Sequence, residues 1–396
     1  MAQIDLNGLC ESYRTSLLAD TLPFWIEHGL DSEHGGVLTS LARDGAVLDT
    51  DKSIWGQARF AWLLATLYNT VEAREEWLTA ALSCLEFLER HAFDSDGGML
   101  FLVTQDGQPL RRRRYVYSEA FASMAYAACA KATGRKDYAK RALALFARYT
   151  EYSFEPGRIP PKVDPKTRPS KGIGPLMICI NVAQALRENI EFPDAEDWID
   201  RCIREIETDF CKPEHAVVLE TVSPSGEILD SFEGRMLTPG HAIEAAWFIL
   251  HEARHRDRDP KLIKLGVQML DWMWERGWDR KHGGLFYFRD LHDKPVQEYW
   301  HDMKFWWPHN EAIIATLLAF TLTGEARHAE RHRLVHDWAH DHFADGEHGE
   351  WFGYLHRDGS RSVDLKGNHW KGPFHLPRMQ LYCSQLTSTQ PDSSGE

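Results

Sequence analysis

The chain of 396 residues is long enough for two or three average domains or for one large closed barrel. Its hydrophobic fraction of 43%, with 15 Trp, 19 Phe and 12 Tyr, supplies a core and flat aromatic walls, and its formal net charge of −14 excludes a phosphate-backbone binder. Seven cysteines lack CxxC spacing and read as buried thiols, no charged-then-apolar leader opens the chain, and no apolar run approaches the roughly 20 residues that cross a bilayer, so a soluble cytoplasmic protein with no nucleic-acid or membrane partner is expected.

In chain order, a charge-laced helical pattern over 5–28 leads into the acidic glycine turn "DSEHGGVLTSLARDG" (31–45) and then an apolar helical pattern over 53–69. The same succession recurs as 72–91, "DSDGGMLFLVTQDG" (94–107) and 117–132, then as 136–151, "EPGRIPPK" (155–162) and 175–189. It continues as 194–210, "PEHAVVLETVSPSGEI" (213–228) and 240–255, then 259–276, "DRKHGGLFYFRD" (279–290) and 306–322, and finally 326–342, "DGEHGEWFGYLHRDG" (345–359) and 375–387. The second glycine of the turn falls at 36, 98 and 284, with Gly157, Ala216 and Glu350 in equivalent places, which makes six units of roughly 66 residues.

The leading helices are amphipathic, as in "KLIKLGVQMLDWMWERG", whereas the trailing ones are apolar on most faces, as in "PLMICINVAQAL", and a helix apolar nearly all round is buried. Six exposed helices around six buried ones predict an all-α, six-fold (α/α) barrel with short β-hairpin loops at one mouth. Residues 1–388 would form this single domain and 389–396 a polar tail. An open solenoid is disfavoured because the end units lack the polar outer faces that caps need.

Residues at the starts of the inner helices should converge at the mouth. Counted from the glycine position of each unit these are Arg59, Glu119, Met177, His241, His309 and His375, so the three histidines and Arg59 are expected to share a pocket. In "SIWGQARFAWLL" Trp55, Arg59 and Trp62 form one stripe; in "PGHAIEAAWF" His241 and Glu244 share a face, as do Trp307 and Glu311 in "FWWPHNEAIIA". A cation, carboxylates, imidazoles and aromatic walls together describe a carbohydrate site. No phosphate loop, dinucleotide turn or nucleophile elbow is present. "HDWAHDH" (336–342) offers His336 and His340 at i, i+4 but no third ligand, so it reads as a solvated face and no metal site is expected. The "RRRR" run at 111–114 reads as a solvated loop or strand edge, and the Pro/Lys-rich segment 158–172 is basic enough to meet an anion.

At these residues the chain resembles the N-acylglucosamine 2-epimerase family. The likeness rests on "DTDKSIWGQARFAWLLATLYN" (49–69), "PLMICINVAQALRE" (175–188), "GRMLTPGHAIEAAWFIL" (234–250), "KFWWPHNEA" (304–312) and "FHLPRMQLYC" (374–383). The resemblance implies that His241 and His375 are the catalytic acid/base pair, that Arg59 holds the reacting sugar oxygen, and that Glu244 and Glu311 support the site. Trp55, Trp62, Met177, Asn181, Trp307 and His309 are then expected to touch substrate. It also implies a homodimer that needs no cofactor, with ATP as an allosteric activator and not a reactant.

Cellobiose 2-epimerases carry a histidine on the third inner helix where this chain has Met177 and Asn181, which favours interconversion of N-acetyl-D-glucosamine and N-acetyl-D-mannosamine. Aldose–ketose isomerisation of the mannose/fructose type and cellobiose epimerisation remain alternatives on the same barrel. An inverting glycoside hydrolase would have to recruit Glu244 and Glu311 as its two carboxylates. Inverting C2 requires an open-chain aldose, removal of the C2 proton and its return on the opposite face, a task for one neutral and one protonated imidazole. Because His241 lies in a first helical turn, the positive helix end should bias it toward the base, with His375 in the opposite role.

Overall fold

The computed structural model describes residues 5–112, 116–160 and 164–387; the 389–396 tail, two of the four arginines at 111–114 and part of the 158–172 segment fall outside them. The outer layer consists of α1 (Leu6–Ser16) with α2 (Leu22–Gly29), α4 (Glu75–His91), α6 (Lys136–Phe154), α8 (Ala195–Glu205), α11 (Pro260–Gly277) and α13 (Ala326–Phe343). The inner ring is α3 (Ile54–Thr70), α5 (Tyr117–Thr133), α7 (Gly174–Asn189), α10 (Pro239–His255), α12 (Trp306–Thr323) and α14 (His375–Thr387), and a single turn, α9 (Phe232–Arg235), precedes α10. Burial separates the layers as the sequence pattern predicts. On α8 only Ala195, Ile199, Cys202 and Ile203 are buried, one stripe at helical spacing, whereas on α5 every residue from Ser118 to Ala130 is buried.

Each inner helix packs against the next, from α3 through α5, α7, α10 and α12 to α14, and α1 packs on α14. Across that closing seam Cys10 Sγ donates to the Ser384 carbonyl at 3.0 Å, Gln385 Nε2 donates to Thr70 Oγ1 at 3.1 Å, and Trp62 lies edge-on to Phe374 with centroids 5.6 Å apart.

Short strand pairs tie the mouth together from unit to unit. Lys52–Ser53 pairs with Leu102–Val103, Lys171–Gly172 with Thr221–Val222, Met236–Leu237 with Arg289–Asp290, and Lys304–Phe305 with Tyr354–Leu355. In each case the strand that feeds an inner helix bonds to the hairpin of the following unit. Ala42 bridges Leu365 in the same way and joins the last unit to the first, so the ring is closed and the solenoid alternative is gone.

The glycine phase has a backbone reason. Gly36 (φ 76°), Gly157 (82°), Ala216 (49°), Gly284 (69°) and Glu350 (56°) all hold the left-handed conformation that such a turn needs, and in the second unit it falls on Gly97 (75°), one residue before the expected Gly98. Three of the turns are clamped by their own inner helices: the Val37 amide donates to Gln57 Oε1 (2.7 Å), the Met99 amide to Glu119 Oε1 (2.8 Å) and the Leu285 amide to His309 Nε2 (2.8 Å). Fully buried lysines add a second clamp. Lys52 Nζ donates to Asp31 Oδ2 and the Gly35 carbonyl, both at 2.7 Å, and Lys304 Nζ reaches Asp279 Oδ2 and the Gly284 carbonyl, both at 3.3 Å. Charge-assisted bonds of this kind contribute about 1.5–3 kcal/mol each, and they fix the helix starts relative to the loops.

Candidate active site

The start of α10 lies against Trp307 of α12. A Cβ on Gly240 would come within 2.7 Å of that indole, so only glycine lets the ring close on the first helical turn. Trp307 then faces both candidate histidines, its ring 5.0 Å from that of His241 and 5.8 Å from that of His375. The two imidazoles, supplied by different helices, flank one indole.

Their hydrogen bonds give them opposite proton states. His241 Nδ1 donates to both carboxylate oxygens of Glu220 at 3.1 Å. Burial alone would pull this imidazole down, but the charge and hydrogen bond of Glu220, helped by Glu244 and Glu311, outweigh it and push His241 up to about 9. His375 Nδ1 donates to Glu311 Oε1 at 2.6 Å, which leaves Nε2 as the free lone pair. Burial, with the positive charges of Arg378 and Arg59, holds His375 well below its ordinary range. At neutral pH the resting site therefore carries a His241 imidazolium and a neutral His375. This reverses the bias expected from the helix end, because a full carboxylate charge at 3.1 Å exceeds the effect of a partial helix-end charge.

Glu311, fully buried, is the hinge of the charged cluster. Besides His375 it accepts from Trp247 Nε1 at 2.7 Å and lies 2.7 Å from Arg378 Nη2. The same guanidinium nitrogen donates to Glu244 Oε1 at 2.5 Å, so one cation neutralises two buried carboxylates. Glu244, Glu311 and His375 are close enough together for a metal, all ligand atoms lying within 4.8 Å, but Arg378 already occupies the position between the carboxylates.

Arg59 is enclosed by rings, its guanidinium carbon 4.3 Å from Trp55, 4.0 Å from Phe121 and 4.4 Å from Phe374. Burial, and then the neighbouring Arg378, lower it to about 9, and its Nε has no hydrogen-bond partner. It lines a narrow recess with Trp55, Trp370, Phe374 and His375. The site thus offers an under-solvated cation beside a neutral base, with a protonated imidazole on the other side of Trp307.

Arg59, Trp55, Glu244, Trp307, Glu311, His241 and His375 are brought together as the sequence reading expects. His309 is not among them. It is fully buried, donates from Nδ1 to the Phe305 carbonyl at 2.7 Å, accepts from the Leu285 amide at 2.8 Å and stacks on Trp338, so both its nitrogens hold the turn. Burial pushes it down to about 3. Met177 is 1% exposed within the core, which leaves no surface for a sugar, and Asn181 is half-buried on α7. Trp62 packs on Phe374 one turn deeper than Arg59 and is absent from the recess lining. The sequence reading missed Glu220 and Arg378. The latter had a legible signal, a cation one helical turn after His375, whereas Glu220 lies between two short strands of a degenerate unit.

Replacing Glu220 with Gln should lower the His241 pKa below its ordinary 6.5, since burial then acts with little opposition. The alkaline limb of turnover should move from near 9 to below neutrality, with a loss of about thirtyfold at pH 8 and far less at pH 6. A pH–rate profile parallel to that of the parent protein would show that Glu220 does not set the proton on His241.

A ring of paired helices whose inner N-termini gather an imidazole pair, a caged guanidinium and buried carboxylates at one mouth defines an (α/α)-barrel carbohydrate enzyme. The chain belongs to the N-acylglucosamine 2-epimerase (GlcNAc 2-epimerase) family, whose profile matches residues 36–375. The N-acylglucosamine 2-epimerases of Rattus norvegicus and Homo sapiens are each 36% identical to it, covering 93% and 92% of this chain and 90% and 86% of their own. The cellobiose 2-epimerase from Bacillus thermoamylovorans B4167 superimposes with a TM-score of 0.84 at 20% identity, over 96% of this chain and 99% of the other, which shows the shared fold.

Proposed function

We propose that the protein interconverts N-acetyl-D-glucosamine and N-acetyl-D-mannosamine by moving a proton at C2 of the open-chain sugar between His375 and His241. The observation that carries this reading is a pair of imidazoles from different helices flanking one indole, His375 joined at Nδ1 to Glu311 and His241 joined at Nδ1 to Glu220. Neutral His375 removes the C2 proton, and its Nδ1–H bond to Glu311 stabilises the imidazolium that forms. Arg59 meets the oxygen charge that develops on the planar enediolate, and it does so strongly because its surroundings are aromatic and dry. His241 then delivers its proton to the other face, and the reverse reaction exchanges the two roles. Relatives at 36% identity named N-acylglucosamine 2-epimerase support this choice of sugar.

The residues carry every proton transfer themselves, so the reading requires no cofactor, and it includes a homodimer in which ATP activates without being consumed. The test is NMR of each sugar with the purified protein: the other N-acetylhexosamine should accumulate to equilibrium. A ketose product, or ADP released in step with turnover, would overturn the corresponding part.

A further inference from the structure

Outside the active site, α13 carries His328, His332, His336 and His340 at successive i, i+4 positions along one face. The sequence pattern suggested a solvated face over 336–342, but His336 and His340 are half-buried against α1, and His332, one turn earlier, is 1% exposed. Tyr13 of α1 is the other half of the contact: its hydroxyl lies 3.2 Å from His332 Nε2 and 2.7 Å from His336 Nδ1. One proton arrangement satisfies the cluster. His332 Nδ1 donates to the Ile313 carbonyl of α12 (3.1 Å), so its Nε2 accepts from the Tyr13 hydroxyl, whose oxygen in turn accepts from His336 Nδ1; His340 Nδ1 donates to the His336 carbonyl (2.8 Å). All three rings are neutral in this arrangement.

A further proton is unfavourable in it. One added to His332 Nε2 would point at a hydroxyl that is already donating there. One added to His336 places a charge on a ring whose centroid is 4.0 Å from that of His340, itself packed on Trp351 at 5.0 Å. The groups that face the cluster are Asp337 and Asp341 on α13, Tyr13 on α1, Thr316 on α12 and Cys383 on α14; among the described residues no carboxylate forms an ion pair with any of the three rings. His328, at the end of the row, instead accepts from Arg327 Nε at 3.4 Å.

We propose that His332, His336 and His340 make the contact of α1 with α13 an acid-released catch, in which proton uptake below neutral pH loosens the hold of α13 on α1. Burial pushes His332 down to about 4 and His336 to about 3, and His340 is lowered as well. The docked state therefore binds fewer protons than the released one. Its stability is complete above the ordinary histidine pKa near 6.5 and declines as pH falls toward 4. At pH 5.5 each such imidazole favours release about tenfold, so His332 and His336 together favour it about a hundredfold.

Hydrogen–deuterium exchange of the full chain tests this without relying on the assigned reaction. With chemical exchange rates factored out, opening of α1 relative to α5 should rise about a hundredfold between pH 7.5 and 5.5, and the change should reverse on return to pH 7.5. A parallel response of the two helices would overturn the proposal. His336→Asn keeps a donor near Nδ1 toward Tyr13 and cannot take up a proton; in that variant the rise should shrink about tenfold, and an undiminished rise would show that His336 is not part of the catch.

Discussion

Substitution of either His241 or His375 by Asn is expected to lower interconversion of the two epimers at least about a thousandfold while leaving exchange of the C2 hydrogen with solvent measurable for one epimer only. Asn retains a donor near the Nδ1 position, so Glu220 or Glu311 is not left without a partner. The surviving imidazole still removes and returns a proton on its own face, which gives isotope washout without inversion. The two variants should prefer opposite sugars, because the imidazoles come from different helices and flank Trp307. Deuterium wash-out followed by NMR in heavy water decides the matter. Washout from the same epimer in both variants, or near-normal epimerisation in either, would replace the two-base account with a single-base one.

The second large effect is expected at Glu311, a residue that reaches the reaction only through others. Glu311→Gln removes the charge that orders His375 and Arg378 together, two charge-assisted contacts of about 1.5–3 kcal/mol each. A fall in kcat of at least about a hundredfold should follow, with a much smaller change in KM, because the carboxylate supports the imidazolium formed during proton transfer and lies beneath the sugar-facing groups. Arg378 keeps Glu244, so the fold should survive with a lowered thermal midpoint. Unchanged kcat in a folded variant would remove Glu311 from the mechanism.

The fold was legible because the repeat is physical: a turn that needs a left-handed residue recurs in each unit, and even where the glycine is lost, at Ala216 and Glu350, the backbone keeps that conformation. Helix bounds followed from hydrophobic periodicity to within a few residues. The site was legible only as far as one rule carried, that equal spacing from the turn means equal position at the mouth. His309 shares the spacing of His241 and His375 from its turn, yet it accepts from the Leu285 amide, and Trp307, two residues before it, is the ring that flanks both histidines. Spacing also said nothing about Glu220, since a carboxylate arriving from a loop has no periodicity to betray it. That omission reversed the expected proton assignment, because the residue that decides the charge of His241 stands outside its helix.

The bridge between Ala42 and Leu365 bears on how the protein comes into being. During synthesis the first unit's hairpin must wait for a partner from the sixth unit, and Glu350, which accepts from Trp25 Nε1 at 3.1 Å, comes from that unit too. Until then the growing molecule is an open arc whose first hairpin lacks its partner. His375, Arg378 and the Leu365 bridge all belong to the sixth unit, so the first five units alone leave the ring open and the candidate site without these two side chains. The same unit that closes the ring also completes the cluster at its mouth.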